Sequence, residues 1–168
     1  MDNFLLKTEL AVENCKNHLR DTNSLESPIE HYLTQYLSII FCAEMEETVK
    51  RLFDESVRQK MVNLNDEELK GFINNQLERL KASSLKKADL ADYVKHFSDQ
   101  AKQRFNSHLQ EKDREITIYS NVITSRHRVA HTSRPNNPNQ LTLPELEQAV
   151  EAAREILKAV QIALQSNQ

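Results

Sequence analysis

Two histidines and three arginines fall within nine residues, Arg126-His127-Arg128-Val129-Ala130-His131-Thr132-Ser133-Arg134. His127 and His131 are four apart, so on a helix they project from one face. Arg126 lies one residue off that face, and its long side chain can swing toward it. An always-charged guanidinium then sits beside two groups of the kind that titrates near neutral pH. RNA transesterification needs this combination. A base takes the proton of the 2′-hydroxyl, an acid protonates the leaving 5′-oxygen, and a fixed cation stabilises the charge on the phosphorane. That chemistry requires no metal and no cofactor.

Two other readings fit the same residues. The His127/His131 spacing is that of a zinc-binding helix. Against it, Arg128 stands where HExxH has its glutamate, the neighbouring arginines repel a dication, and Cys15 and Cys42 are far apart in sequence. Alternatively, the cations decorate a helix C-terminus and complement its dipole.

The elements that must position these residues are helices. The chain has 168 residues and a single glycine, Gly71. One glycine excludes a Walker loop, a dinucleotide-binding GxGxxG turn and a GxSxG elbow, and it disfavours a sheet with many tight hairpins. Apolar residues recur at helical spacing nearly throughout. A first helix is expected over about residues 3–20, with Phe4, Leu6, Leu10, Cys15 and Leu19 among its apolar positions. Ser27-Pro28 caps a second, reaching about Arg58. Its stripe of Ile29, Tyr32, Leu33, Tyr36, Leu37, Ile40, Phe41 and Met45, continued by Val49, Leu52 and Phe53, is the strongest core signal in the chain. Asn65, with Glu68 three residues on, starts a third. It contains Gly71, which allows a kink or a close helix contact. A short connector helix carries Leu85, Leu90, Tyr93, Val94 and Phe97. Ser98 caps the next stretch, and the pattern leaves open whether Ser98–Leu109 and Glu111–His131 are one helix or two. The segment Thr132–Leu143 reads as a loop. Thr142-Leu143-Pro144-Glu145 is a capping box that opens a last helix to about Gln165, with Leu146, Val150, Ala153, Leu157, Val160 and Leu164 on its buried side. The expectation is one all-α bundle of four or more long helices, residues 1–168 forming a single domain.

Charge is unevenly spread. Residues 1–78 carry 8 Lys/Arg against 15 Asp/Glu, whereas residues 79–134 carry 12 against 6 and four of the six histidines. A basic block in an otherwise acidic protein points either to a local anionic partner or to a solvated helix face. The first 25 residues hold no apolar signal region, and the longest apolar run, Ile39–Ala43, is far below a membrane span. Two cysteines are too few for a disulfide framework and read as small buried hydrophobes. A cytoplasmic protein with reduced thiols and no membrane contact is expected.

Arg126-His127-Arg128-Val129-Ala130-His131 resembles the signature of the HEPN superfamily of helical nucleases: an Arg, a polar residue, and a His after four intervening positions. The Ala before the His matches the frequent R-N-x-x-A-H form, with His127 in place of Asn. Upstream, Phe41–Lys50 resembles the long second helix of the RiboL-PSP-HEPN branch. By this resemblance Arg126 and His131 are the catalytic pair and His127 occupies the polar position. Glu44 maps onto an acidic residue that orients the constellation from a facing helix, a solvated helix glutamate being the alternative. Arg128 and Arg134 are supporting cations. Position 133 is Ser, where the toxin branch with R-x4-H-x-Y carries an aromatic. The resemblance implies a metal-independent endoribonuclease leaving 2′,3′-cyclic phosphate and 5′-hydroxyl ends, and toxin, phage-defence or RNA-processing roles. It also implies RNA as partner, a homodimer, and an antitoxin or other protein regulator. The competing reading is a non-catalytic helical module that binds RNA, a nucleotide or a protein.

Overall fold

The computed structural model describes residues 4–79, 85–131 and 141–165, with the helical backbone alone for residues 78, 79 and 126–131. The described residues form seven α-helices and no strand: α1 (Leu6–Asp21), α2 (Pro28–Met61), α3 (Glu67–Arg79), α4 (Lys87–Lys95), α5 (Asp99–His108), α6 (Asp113–His131) and α7 (Leu143–Leu164). The all-α expectation holds.

The last helix, α7, is the axis of the core and packs against α1, α2, α4, α5 and α6. It begins as its sequence dictates. Thr142 Oγ1 accepts from the Glu145 amide at 3.4 Å, and the Glu145 carboxylate accepts from the Thr142 amide at 2.8 Å. Leu146, Ile156, Leu157 and Val160 are buried together with Ala149, Ala152, Ala153, Ala159 and Ala163. Alanine at so many positions lets neighbouring helices approach from several sides, leaving one exposed stripe through Gln148, Glu151, Lys158 and Ile162.

The 34-residue α2 is the second wall of the core. Ser27 caps it, accepting from the amides of Ile29 and Glu30, with Pro28 following. Leu37, Phe41, Met45, Val49, Leu52 and Phe53 are buried as expected. Ile29, Tyr32 and Tyr36 are not: the two tyrosines are 62% and 61% exposed. The buried line at this end runs instead through Thr34, Leu37 and Ser38. Residues 29–45 are apolar on more than one side, so periodicity did not single out the inward face. The same correction applies to α1, where Val12 and Leu19 are buried but Leu6 and Leu10 are exposed.

The third helix is capped by Asp66, not Asn65: the Leu69 amide donates to Asp66 Oδ1 at 3.0 Å. With two adjacent capping residues available, the chain uses the one closer to the apolar run. Leu69 and Phe72 on α3 are exposed. A Cβ on Gly71 would meet nothing within 4 Å, so no close helix contact explains this glycine.

Ser98 caps α5, accepting from the Ala101 amide at 3.0 Å. The stretch left open by sequence is two helices. The backbone turns at Leu109, whose side chain is fully buried, and the amides of Leu109, Gln110 and Lys112 bond carbonyls three residues back. The next helix then starts afresh with Asp113 and Glu115 in its first turn, where carboxylates complement the helix dipole.

Candidate functional site

The motif stands at the end of α6, and the position of α6 is fixed by Tyr119. That side chain is fully buried, its ring meets Phe41 of α2 edge-on at 6.4 Å, and its hydroxyl donates to the Leu85 carbonyl at 2.6 Å. Burial drives its phenol well above the usual range, so it stays a neutral donor across the physiological range. Val122 and Ile123, one turn further, are buried as well. Position 126 lies two turns beyond Tyr119 and in line with it along the helix.

Positions 126, 127, 128 and 131 all lie within the last six residues of α6. Backbone geometry therefore brings Arg126, His127, Arg128 and His131 together on two turns of one helix. Arg134, and residues 132–140 of the connecting segment, lie outside the described residues. Among the described residues no group of three or more His, Cys, Asp and Glu could hold a metal ion.

Glu44 is neither a solvated glutamate nor idle. It is 9% exposed on α2, and both its oxygens are engaged by the start of α1. One accepts from the Lys7 amide at 3.0 Å; the other accepts from the Thr8 amide at 2.7 Å and from Thr8 Oγ1 at 2.6 Å. Those two amides are the ones an N-cap side chain ordinarily satisfies. Here the N-cap position is Leu5, in the left-handed conformation at φ 66° and without a capping side chain. Glu44 thus caps α1 from another helix, its charge matched to the helix N-terminus. The neighbouring Glu47 holds Lys7 Nζ at 2.9 Å, and this contact raises the Lys7 pKa. Sequence inspection missed this role, because the partners are 36 and 37 residues apart. Asp2 and Asn3, residue types that cap helices, stand at the expected helix start, so no local signal pointed to a cap from α2.

Two lysines of the basic block, Lys102 and Lys112, are committed to carboxylates. Lys102 bonds Asp92 at 2.6 Å, holding the Asp92 carboxyl below its usual range. Lys112 and Lys158 bond Glu155 at 3.0 and 2.7 Å, which lowers the Glu155 pKa and raises that of Lys112. Of the cysteines, Cys42 is fully buried; Cys15 is partly so, and burial pushes its thiol up, away from the reactive thiolate. No helix among the described residues is long and apolar enough to cross a membrane.

A helical bundle closed by one helix after an Arg-x4-His segment is the arrangement expected of a HEPN domain. The chain belongs to the RiboL-PSP-HEPN family, whose model matches residues 3–166. No curated protein and no solved structure matches the chain.

Proposed function

We propose that this protein is a metal-independent endoribonuclease. The observation that carries the reading is the clustering of Arg126, His127 and His131 on the last two turns of α6 in a chain of this family. In the proposed reaction the ribose 2′-oxygen attacks the adjacent phosphorus. The bond from phosphorus to the 5′-oxygen breaks, leaving a 2′,3′-cyclic phosphate and a 5′-hydroxyl. His131 performs the proton transfers, because an imidazole exchanges protons near neutral pH. Arg126 cannot exchange them there, so it holds the phosphate and stabilises the developing negative charge. His127 orients His131 or the phosphate, and Arg128 and Arg134 add positive potential.

Two such motifs around a two-fold axis would supply separate acid and base groups to one phosphodiester. The active species in this reading is a homodimer with both copies of His131 on one groove. A toxin or phage-defence effector, restrained by an antitoxin or another protein regulator, is the biological setting this activity fits.

The test is cleavage of a mixed RNA in EDTA by the wild type and by Arg126→Ala and His131→Ala. Wild-type cleavage, with loss of both the activity and the cyclic phosphate ends in the variants, supports the reading. RNA binding without cleavage in any condition replaces it by the non-catalytic module, and cleavage abolished by EDTA replaces it by a metal-dependent mechanism.

A further inference from the structure

A second basic feature lies away from the motif. Gln100, Gln103, Arg104, Ser107 and His108 line an open groove of about 690 Å³ that Ile162 of α7 completes. Their spacing of three, one, three and one puts all five on one face of α5. Each carries a hydrogen-bond donor and none is acidic, in a protein whose net charge is −3.

Arg104 and the nearby Lys60 pair with main-chain oxygens rather than with carboxylates. Arg104 Nη2 donates to the Ala163 carbonyl at 2.7 Å, and Lys60 Nζ donates to the Leu164 carbonyl at 3.0 Å. Both partners are main-chain oxygens at the end of α7, which carry only partial charge. Lys60 has its pKa lowered by burial and by the nearby Arg104, as expected for cations crowded together. The nearest carboxylate to His108 is Glu155, at 3.9 Å, and that group already serves Lys112 and Lys158. Arg104 Nε and His108 Nε2 are buried without a hydrogen-bond partner. Both atoms are enclosed, so what the groove presents to a ligand is the exposed Gln100, Gln103 and Ser107 with the rest of the Arg104 guanidinium.

We propose that this face of α5 docks the phosphodiester backbone of a single RNA strand, at the end of the bundle remote from Arg126–His131. The proposal rests on RNA being the ligand, as in the function proposed above. An open groove lined by donors and one apolar side chain suits a charged chain better than an enclosed small molecule. The groove lies beside the start of α6, since α5 ends at His108 and α6 begins at Asp113. From Asp113 to Arg126 is 13 residues, which at the helical rise is about 20 Å. A strand reaching both places needs about six stacked nucleotides at ~3.4 Å each.

The test uses a labelled 20-nucleotide RNA made uncleavable by 2′-O-methylation. Gln103 and Ser107 are exposed, so Gln103→Glu and Ser107→Glu add charge without disturbing the core. Together they are expected to weaken binding at least tenfold, while Asn14→Glu, adding charge to exposed α1 surface, changes it less than twofold. Arg104→Gln should flatten the dependence of log affinity on log salt by about 0.7, one phosphate contact on a single strand. A trinucleotide, too short to reach both places, should bind weakly and lose little through these variants. Unchanged affinity in the double variant overturns the proposal. So does displacement of the 20-mer from the groove by millimolar inorganic phosphate, which would make this a site for free phosphate. The two readings separate cleanly. A wild type that binds in this way but never cleaves unmodified RNA leaves docking standing and removes catalysis. One that cleaves while the double variant binds and cleaves equally well removes docking alone, and a wild type that binds no RNA removes both.

Discussion

At the residue scale, carboxylates on interior-facing positions hold the bundle's seams. Glu44 caps α1 through the Lys7 and Thr8 amides. Replacing it by Gln keeps one acceptor but removes the charge and the second oxygen. Loss of a cap of this kind costs about 1–2 kcal/mol, so Glu44→Gln should lower the urea midpoint with an unchanged slope, and Thr8→Val should follow in the same direction. A midpoint equal to wild type would mean that the bonds to α1 add nothing to stability. Glu155 gives a pH signature. Its folded-state pKa is depressed, first by the hydrogen bonds from Lys158 and Lys112. A depressed carboxylate contributes stability that is fully present above its unfolded pKa, about 4.3, and is lost as pH falls through the folded value. Glu155→Gln is therefore expected to be less stable than wild type at pH 7 and to converge with it as the pH drops below 4. Urea titrations at pH 7, 5 and 3 check this, and a difference that persisted unchanged at pH 3 would assign it to packing.

At the element scale, the fold was legible wherever a local rule acted alone. Ser27-Pro28, Ser98 and the Thr142–Glu145 box each start the helix that their residue types announce. The inward line of α7 was legible too, because Leu146, Val150, Ala153, Leu157, Val160 and Leu164 are all buried. Legibility failed where a segment is apolar on several sides, as in the first half of α2, and where a cap comes from a distant helix, as at α1. It also failed at the α5–α6 break, since the break rests on the burial of Leu109 and no proline or glycine marks it. The motif could be placed at a helix end from sequence, whereas the donor face of α5 could not, because its meaning depends on the end of α7 beside it. A pair of substitutions on α2 separates inward from outward positions. Phe41→Ala removes a fully buried ring against Tyr119 and should cost about 3–5 kcal/mol. Tyr36→Lys, on the exposed side, should stay within about 0.5 kcal/mol of wild type. Denaturant unfolding of both variants checks this, and a large loss from Tyr36→Lys would place that side chain in an interface.

At the scale of the whole molecule, the question is whether one motif suffices. A single α6 end offers one Arg126, one His127 and one His131, and the proposed reaction needs a base and an acid in the same turnover. If two copies share a groove, the two roles fall on different chains, and the arrangement has a testable consequence. Arg126→Ala and His131→Ala homodimers should both be inactive. A mixed dimer of the two carries one intact Arg126 and one intact His131 around a common groove. Should one cation and one imidazole from opposite copies suffice, mixing the two inactive proteins restores part of the activity, up to about one half, the statistical share of mixed dimers when subunits exchange freely. Co-expression with two different affinity tags, followed by sequential purification, isolates the mixed species and removes that dilution. Its cleavage of RNA in EDTA then reports directly on sharing. Restored cleavage would mean that one Arg126 and one His131 from opposite copies suffice, the single imidazole acting as base and then as acid when the proton it takes from the 2′-hydroxyl is the one it delivers to the leaving 5′-oxygen. Activity at the level of the separate variants would mean that catalysis needs either both imidazoles or an Arg126 and a His131 of one chain. A mixed dimer of wild type with His131→Ala, which keeps one intact motif, separates these: it is inactive if both imidazoles are required and active if each motif works within its own chain.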